Sequence, residues 1–189
     1  MYKIKKIPNK NKDKIKISFL GDSGVGKTTI LYIFLGLEIN RILKSIGIEK
    51  LEDKTKLNNG KEIKLILWDT AGAERFRSIT IKNIKFSEGC VIVFDVTSKK
   101  SFENLSIWLD LIKKDYPNVM VFIFGNKVDY DKSEWEVTNE EINKFIEEKK
   151  LKYFQVSAKD IIGIKETISY IVNELYAENE YIVIPPRKK

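Results

Sequence analysis

Apolar and polar positions fall into short alternating or continuous runs, separated by stretches with helical spacing. Residues 15–20, Ile-Lys-Ile-Ser-Phe-Leu, alternate and then turn apolar, which predicts a strand. Residues 50–57 and 61–68 predict two more strands around Asn58-Asn59-Gly60, a strong hairpin signal. Residues 90–96 and 119–125 are apolar runs of the kind that form strands buried on both faces. Residues 152–156 predict a last, short strand. Between these runs the period lengthens. Ser101 to Lys114 places Phe102, Leu105, Trp108, Leu109 and Ile112 at helical spacing, with Ser101 as the predicted N-cap. Thr138 to Lys149 predicts another helix, with Thr138 and Glu141 in capping-box spacing. Thr28 to Leu35 and Ile164 to Tyr176 predict two further helices. Strands alternating with helices give an α/β fold with a mostly parallel sheet, which binds ligands at the carboxyl ends of its strands.

The two ends lack this order. Residues 1–13 are polar, Lys-rich and aperiodic, which predicts a flexible arm. Residues 178–189 close on Pro185-Pro186-Arg187-Lys188-Lys189 and predict a flexible tail. The net charge of +7 is concentrated there: residues 1–16 hold seven lysines against Asp13 alone. The pattern predicts a nearly neutral domain with a basic arm, solvated or weakly drawn to an anionic membrane leaflet, and not a nucleic-acid binder. The chain holds no histidine and only Cys90, which removes His-based catalysis, zinc clusters and an intramolecular disulfide. A reducing, cytoplasmic compartment fits that usage. No apolar run approaches the roughly 18–20 residues of a membrane span.

The most specific chemistry lies after the first predicted strand. Gly21-Asp22-Ser23-Gly24-Val25-Gly26-Lys27-Thr28 fits G-x-x-x-x-G-K-[ST], with Thr29 continuing into the helix. The glycines let backbone N–H groups converge on phosphate oxygens, and the helix adds its N-terminal dipole. Lys27 is placed to neutralise phosphate charge. The Thr28 hydroxyl is a ligand of the kind Mg²⁺ takes. Asn126-Lys127-Val128-Asp129 follows a later apolar strand. An Asp129 carboxylate can accept from guanine N1–H and its 2-amino group, whereas adenine would leave it unpaired. Asn126 can tie this loop to the phosphate loop, and Lys127 can lay its stem on the base. Ser157-Ala158-Lys159 follows the last strand, with the Ala158 N–H placed for guanine O6. Each short motif is weak alone; their order, each after a strand, is the signal.

With Lys64 to Gly72, Glu74 to Thr80, Asp95 to Ser98, Ser101 to Leu105 and Trp108-Leu109, the chain resembles Ras-superfamily small GTPases over residues 14–177, and Rabs among them. The resemblance implies a three-layer P-loop NTPase fold, with a mostly parallel six-stranded sheet and helices on both faces. It implies GTP or GDP with Mg²⁺ as ligands, and GTP hydrolysis to GDP and phosphate. Asp69 would hold Mg²⁺ through water, and the Gly72 N–H would reach the γ-phosphate. Residues 72–80 would form switch II, and Ser45-Ile46-Gly47 corresponds to the switch I triplet Thr-Ile-Gly. Ser45 retains the hydroxyl and N–H that the family threonine gives to metal and phosphate. Effectors, a GAP and an exchange factor would bind through these switches, to a monomer with a part in vesicle traffic.

Three departures from the family shape the expectation. Ala73 stands where a glutamine usually orients the attacking water, so intrinsic hydrolysis should be slow; Glu74 beside it reads as a surface switch residue. A GAP can supply the missing group, and a hydrolysis-deficient GTP-bound scaffold is the rival reading. Ile39 falls near the position of an aromatic ring over guanine, within an apolar stretch, Leu37 to Leu43, that is either packed or a partner surface. No cysteine stands near the C-terminus to carry prenyl groups, so any membrane contact should be peripheral, on the cytosolic side. A nucleotide kinase is a remote alternative, since Asp129 argues for guanine.

Overall fold

The computed structural model describes residues 3–6, 13–38, 48–70, 83–178 and 181–184. The central strand is β2 (Lys14–Leu20), and five others complete one six-stranded sheet: β3 (Ile48–Lys56), β4 (Glu62–Thr70), β5 (Gly89–Asp95), β6 (Met120–Asn126) and β7 (Lys152–Gln155). Their order across the sheet is β3-β4-β2-β5-β6-β7. Every pairing is parallel except β3 with β4, the hairpin that Asn58-Asn59-Gly60 predicts. From β2 the chain builds first to one side, through β3 and β4, and then to the other. The carboxyl end of β2 is therefore a switch point, where the loops leaving β2 and β5 part and a ligand crevice opens.

Four α-helices are described: α1 (Lys27–Phe34), α2 (Lys99–Asp115), α3 (Asn139–Lys149) and α4 (Ile164–Glu178). The two-residue period of the strands divides the core between them. Ile15, Ile17, Phe19, Leu65, Leu67, Val91, Val93, Phe122 and Phe124 pack with Ile30 and Leu31 of α1 and Ile168, Ile171 and Val172 of α4. Leu20, Cys90, Ile92, Phe94, Val121 and Ile123 pack with Leu105, Trp108 and Ile112 of α2 and Ile142 of α3. The result is the three-layer α/β architecture that the sequence implies, with helices on both faces. Cys90 is completely buried, and burial pushes its thiol well above the ordinary range, as befits a packing residue.

Local signals hold to within a residue or two, with one correction. Thr138 caps α3 through the full capping box with Glu141. At α2 the cap is Ser98, not Ser101: the Ser98 side chain accepts from the Ser101 N–H. Ser101 lies one turn further in. Its hydroxyl accepts from the Asp95 N–H and donates to the Ser98 carbonyl, which seals β5 to the helix start. Both serines suit a cap, and only this contact with β5 decides between them.

The ends also differ from the aperiodic arm and tail that their composition suggests. β1 (Lys3–Lys6) pairs antiparallel with β8 (Tyr181–Ile184), in the register Lys3 to Ile184 and Lys6 to Tyr181. The two partners lie at opposite ends of the sequence, so no local period reveals them.

One turn is strained. Ile161 takes φ 59°, a left-handed conformation that a β-branched residue rarely adopts. Its side chain is 66% exposed, so burial offers little return. The turn is held by reciprocal bonds, Ser157 N–H to the Ile162 carbonyl at 3.1 Å and Ile162 N–H to the Ser157 carbonyl at 3.0 Å. Replacing Ile161→Asn, a residue that tolerates this region, should raise the unfolding free energy by about 1 kcal/mol in a urea titration. An unchanged or lowered midpoint would show that the turn carries no such strain.

Candidate functional site

Three loops meet at the carboxyl edge of the sheet. The first, Gly21 to Gly26, leaves β2 at the switch point and enters α1. A Cβ on Gly21 would lie 2.2 Å from the Val93 carbonyl oxygen, so the loop passes against β5 where no side chain fits. Gly24 and Gly26 take φ 81° and 97°, and the positive values turn the backbone into α1. Gly26 is the N-cap of that helix and offers it no side-chain cap. The first-turn N–H groups of Lys27, Thr28 and Thr29 are of the kind that an anion satisfies. Ser23 and Gly24 are exposed at the rim, whereas Asp22, Val25 and Lys27 are buried.

Lys27 folds back under the loop. Its Nζ donates to the Gly21 carbonyl at 3.0 Å and to the Asp22 carbonyl at 2.7 Å. Burial lowers its pKa to about 8, against the opposing pull of Asp69 and Asp22. An ammonium so poorly solvated gains from an arriving phosphate.

Beside it, the Thr28 hydroxyl donates to Asp69 Oδ2 at 2.5 Å. Asp69 is the last residue but one of β4, with 0% exposure, and its Oδ1 is buried without a hydrogen-bond partner. Burial raises its pKa; the Thr28 bond and the Lys27 charge only partly offset this, and Glu49 adds to it. A buried, half-satisfied carboxylate beside a hydroxyl suits a hard cation. Among the described residues there is no cluster of three or more acidic, His or Cys side chains that could cage a metal alone. Ser45, Gly72 and Ala73 lie outside the described residues, as do Ile39 and the rest of both switch motifs.

The second loop leaves β6. Asn126, 1% exposed, donates from Nδ2 to the Val25 carbonyl at 2.8 Å and accepts at Oδ1 from the Ala158 N–H at 3.1 Å. One amide thus joins all three loops. Lys127 takes φ 69°, and its ammonium pairs with Asp95 Oδ2 at 2.5 Å. The third loop, Ser157-Ala158-Lys159, follows β7. The Ser157 hydroxyl donates to Asp129 Oδ1 at 2.6 Å and accepts from the Asp160 N–H at 3.0 Å. Asp129 Oδ2 is covered and accepts no hydrogen bond; the ammonium of Lys159, itself well exposed, stands 3.6 Å away. Desolvation works to raise the Asp129 pKa, but the Ser157 bond and Lys159 outweigh it and hold the group below the usual carboxylate value. It therefore stays charged, with one oxygen that accepts no hydrogen bond.

Two partnerships here were not read from the sequence. Asp95 fixes Lys127, and Asp22 is bound by Asn104 and Trp108 of α2. The available signal was Trp108 itself, since an indole on a buried helix face needs an acceptor for its N–H.

Comparison with known proteins finds relatives along most of the chain. The Ras family profile matches residues 16–177. A probable Rab-related GTPase of Acanthamoeba polyphaga mimivirus is 35% identical over 90% of this chain and 79% of its own. The Ypt/Rab-type GTPase Rab7 of Gibberella zeae is 34% identical over 91% and 87%, and human Ras-related protein Rab-39A 36% over 86% and 78%.

The joint at Asn126 tolerates nothing larger than glycine opposite it: a Cβ on Gly26 would lie 2.3 Å from Asn126 Nδ2. Gly26→Ala should therefore weaken binding of GDP by about 10- to 100-fold, through the clash and the positive φ together. Equilibrium titration checks this; unchanged affinity would mean that the joint can shift freely.

Proposed function

The chain belongs to the Ras family and is a Rab-like small GTPase, and from that premise we propose a guanine-nucleotide switch with slow intrinsic hydrolysis. The observation that carries the guanine reading is the covered, unbonded Oδ2 of Asp129. Ser157 fixes the carboxylate, and Asn126 ties its loop to the phosphate loop. Guanine N1–H and its 2-amino group would satisfy it; adenine would leave it unpaired. The Ala158 N–H would share its bond to Asn126 with guanine O6. Lys127, held by Asp95, would lay its stem along the base, with Lys159 at the rim.

Around the phosphates, Asp22 to Thr29 would supply the backbone cradle, and Lys27 would neutralise β- and γ-phosphate charge. Mg²⁺, held by Thr28, Ser45 and, through water, Asp69, would neutralise developing charge on the phosphate oxygens. The Gly72 N–H would contact the γ-phosphate. No general base stands among these residues; catalysis would rest on position and electrostatics. Loss of the γ-phosphate would release Ser45 and Gly72 and so change the surface offered to effectors, a GAP and an exchange factor.

Ala73 has no group to orient the attacking water, and this supports a slow rate. It equally supports the rival reading, a GTP-held scaffold governed by exchange. Single-turnover hydrolysis of GTP with Mg²⁺ separates them. Wild type should cleave slowly but measurably, and Ala73→Gln should gain about 10- to 100-fold, the usual scale of one polar group acting on the transition state. A wild type with no measurable cleavage favours the scaffold. Equal rates in both proteins would mean that another residue positions the water.

The Rab likeness supports a place in membrane traffic, as a monomer on the cytosolic side. Peripheral contact would come from the basic ends: β1 contributes Lys3, Lys5 and Lys6 beside β8, and Arg187, Lys188 and Lys189 follow. Binding to phosphatidylserine vesicles should fall at least about tenfold between 50 mM and 500 mM salt. Salt-insensitive binding, or none at low salt, would remove the basic ends as the device.

A further inference from the structure

Asp22 is an unexpected residue in a loop shaped to receive phosphate. A carboxylate there repels the ligand unless its charge is held away. It is 8% exposed, and both oxygens are engaged: Trp108 Nε1 donates to Oδ1 at 3.0 Å and Asn104 Nδ2 donates to Oδ2 at 2.5 Å. Asn104 and Trp108 stand four residues apart on α2, and so on one face of it. Trp108 is 1% exposed and packed among the core residues beneath the sheet, so its N–H is delivered from a rigid base. The main-chain carbonyl of Asp22 accepts the Lys27 ammonium at 2.7 Å. One residue is thus bonded by its side chain to α2 and by its backbone to the lysine beneath the phosphate loop.

We propose that Asn104 and Trp108 are positioning residues for the nucleotide, acting through Asp22, and that α2 thereby sets how long the nucleotide stays bound. They draw the Asp22 carboxylate back against α2, away from the phosphates. They also fix the carbonyl that orients Lys27. Without them the carboxylate is either left buried without donors or turns to the Lys27 ammonium, taking the charge intended for phosphate. Both outcomes loosen GDP and GTP alike and leave the hydrolytic step untouched, because the two α2 residues act on Asp22 and not on Thr28 or Asp69. The inference rests on reading the Gly21–Thr28 loop as the nucleotide site.

The test is dissociation of a fluorescent GDP from the full chain with Mg²⁺, for wild type, Trp108→Phe and Asn104→Ala. Trp108→Phe retains an aromatic ring in the core and removes the donor. Each variant should raise the dissociation rate about fivefold or more, while single-turnover cleavage of bound GTP stays within about twofold of wild type. In an Asp22→Asn background, which removes the charge to be held away, Trp108→Phe should add less than about twofold. Wild-type rates in both folded variants would overturn the proposal. So would a Trp108→Phe effect that persists in full beside Asp22→Asn, since that marks lost packing. If wild type itself fails to bind guanine nucleotide, the reading of the loop has failed, and the inference falls with it.

Discussion

Three segments far apart in sequence must converge for this site to exist, and a buried amide brings them together. Asn126 gives its Nδ2 to the Val25 carbonyl and takes the Ala158 N–H at Oδ1. An asparagine suits the position because it carries both a donor and an acceptor in one rigid plane. Aspartate would lose the donor and place a second charge near the loop. The constraint extends further: Gly26 has to be glycine to pass beneath Asn126, and Gly21 has to be glycine to pass Val93. The parallel sheet supplies the register for all this. β5 and β6 pair from Gly89 with Met120 to Asp95 with Asn126, so Asn126 arrives level with Asp95 at the ligand edge.

The charges of the site form a second layer of dependence. Three of the carboxylates within or beside the loops differ in how their charge is met. Asp22 has donors on both oxygens and is turned away from the cradle. Asp69 has one oxygen on Thr28 and one bare, and burial raises its pKa. Asp129 has one oxygen on Ser157 and the other, which accepts no hydrogen bond, beside the Lys159 ammonium at 3.6 Å, and stays below the usual carboxylate range. The two oxygens without hydrogen bonds face different needs: a cation suits the first, and neutral N–H donors suit the second, which Ser157 and Lys159 already keep ionised. Burial of Lys27 completes the set, since an ammonium with a pKa near 8 gains most from a polyanion. A site of this kind holds its electrostatic cost until the ligand arrives, which ties affinity to how well the loops are held in its absence.

Much of this was legible because it is local. The two-residue and helical periods marked the strands and helices, Asn58-Asn59-Gly60 marked the hairpin, and Thr138 with Glu141 marked a cap. The phosphate loop declared itself through glycines that its turns require. What escaped depends on partners remote in sequence. Ser98 displaced Ser101 as the cap because Ser101 is bonded to the end of β5, a contact that helix rules do not contain. The pairing of Lys3–Lys6 with Tyr181–Ile184 joins the two ends of the chain. The Asp22 donors lie more than 80 residues downstream. In each case the deciding partner lay far away in the sequence, where no local rule reaches.

That same distinction applies within the site, most of whose described residues are held by contacts remote in sequence. Asp22, Lys27, Asp69, Asn126 and Asp129 stand on or next to sheet strands and helix ends, and their bonds run to backbone carbonyls and buried side chains. Rigid elements of this sort hold a cradle at nearly fixed geometry. Ser45, Gly72 and Ala73 lie outside the described residues, and their roles rest on the family resemblance. On the switch reading proposed above, the contacts of the cradle would secure base and phosphates in either state, and the difference between states would fall to the switch residues. Affinity and signalling would then be tuned at separate residues, the first through the α2 contact with Asp22 and the second through the switches.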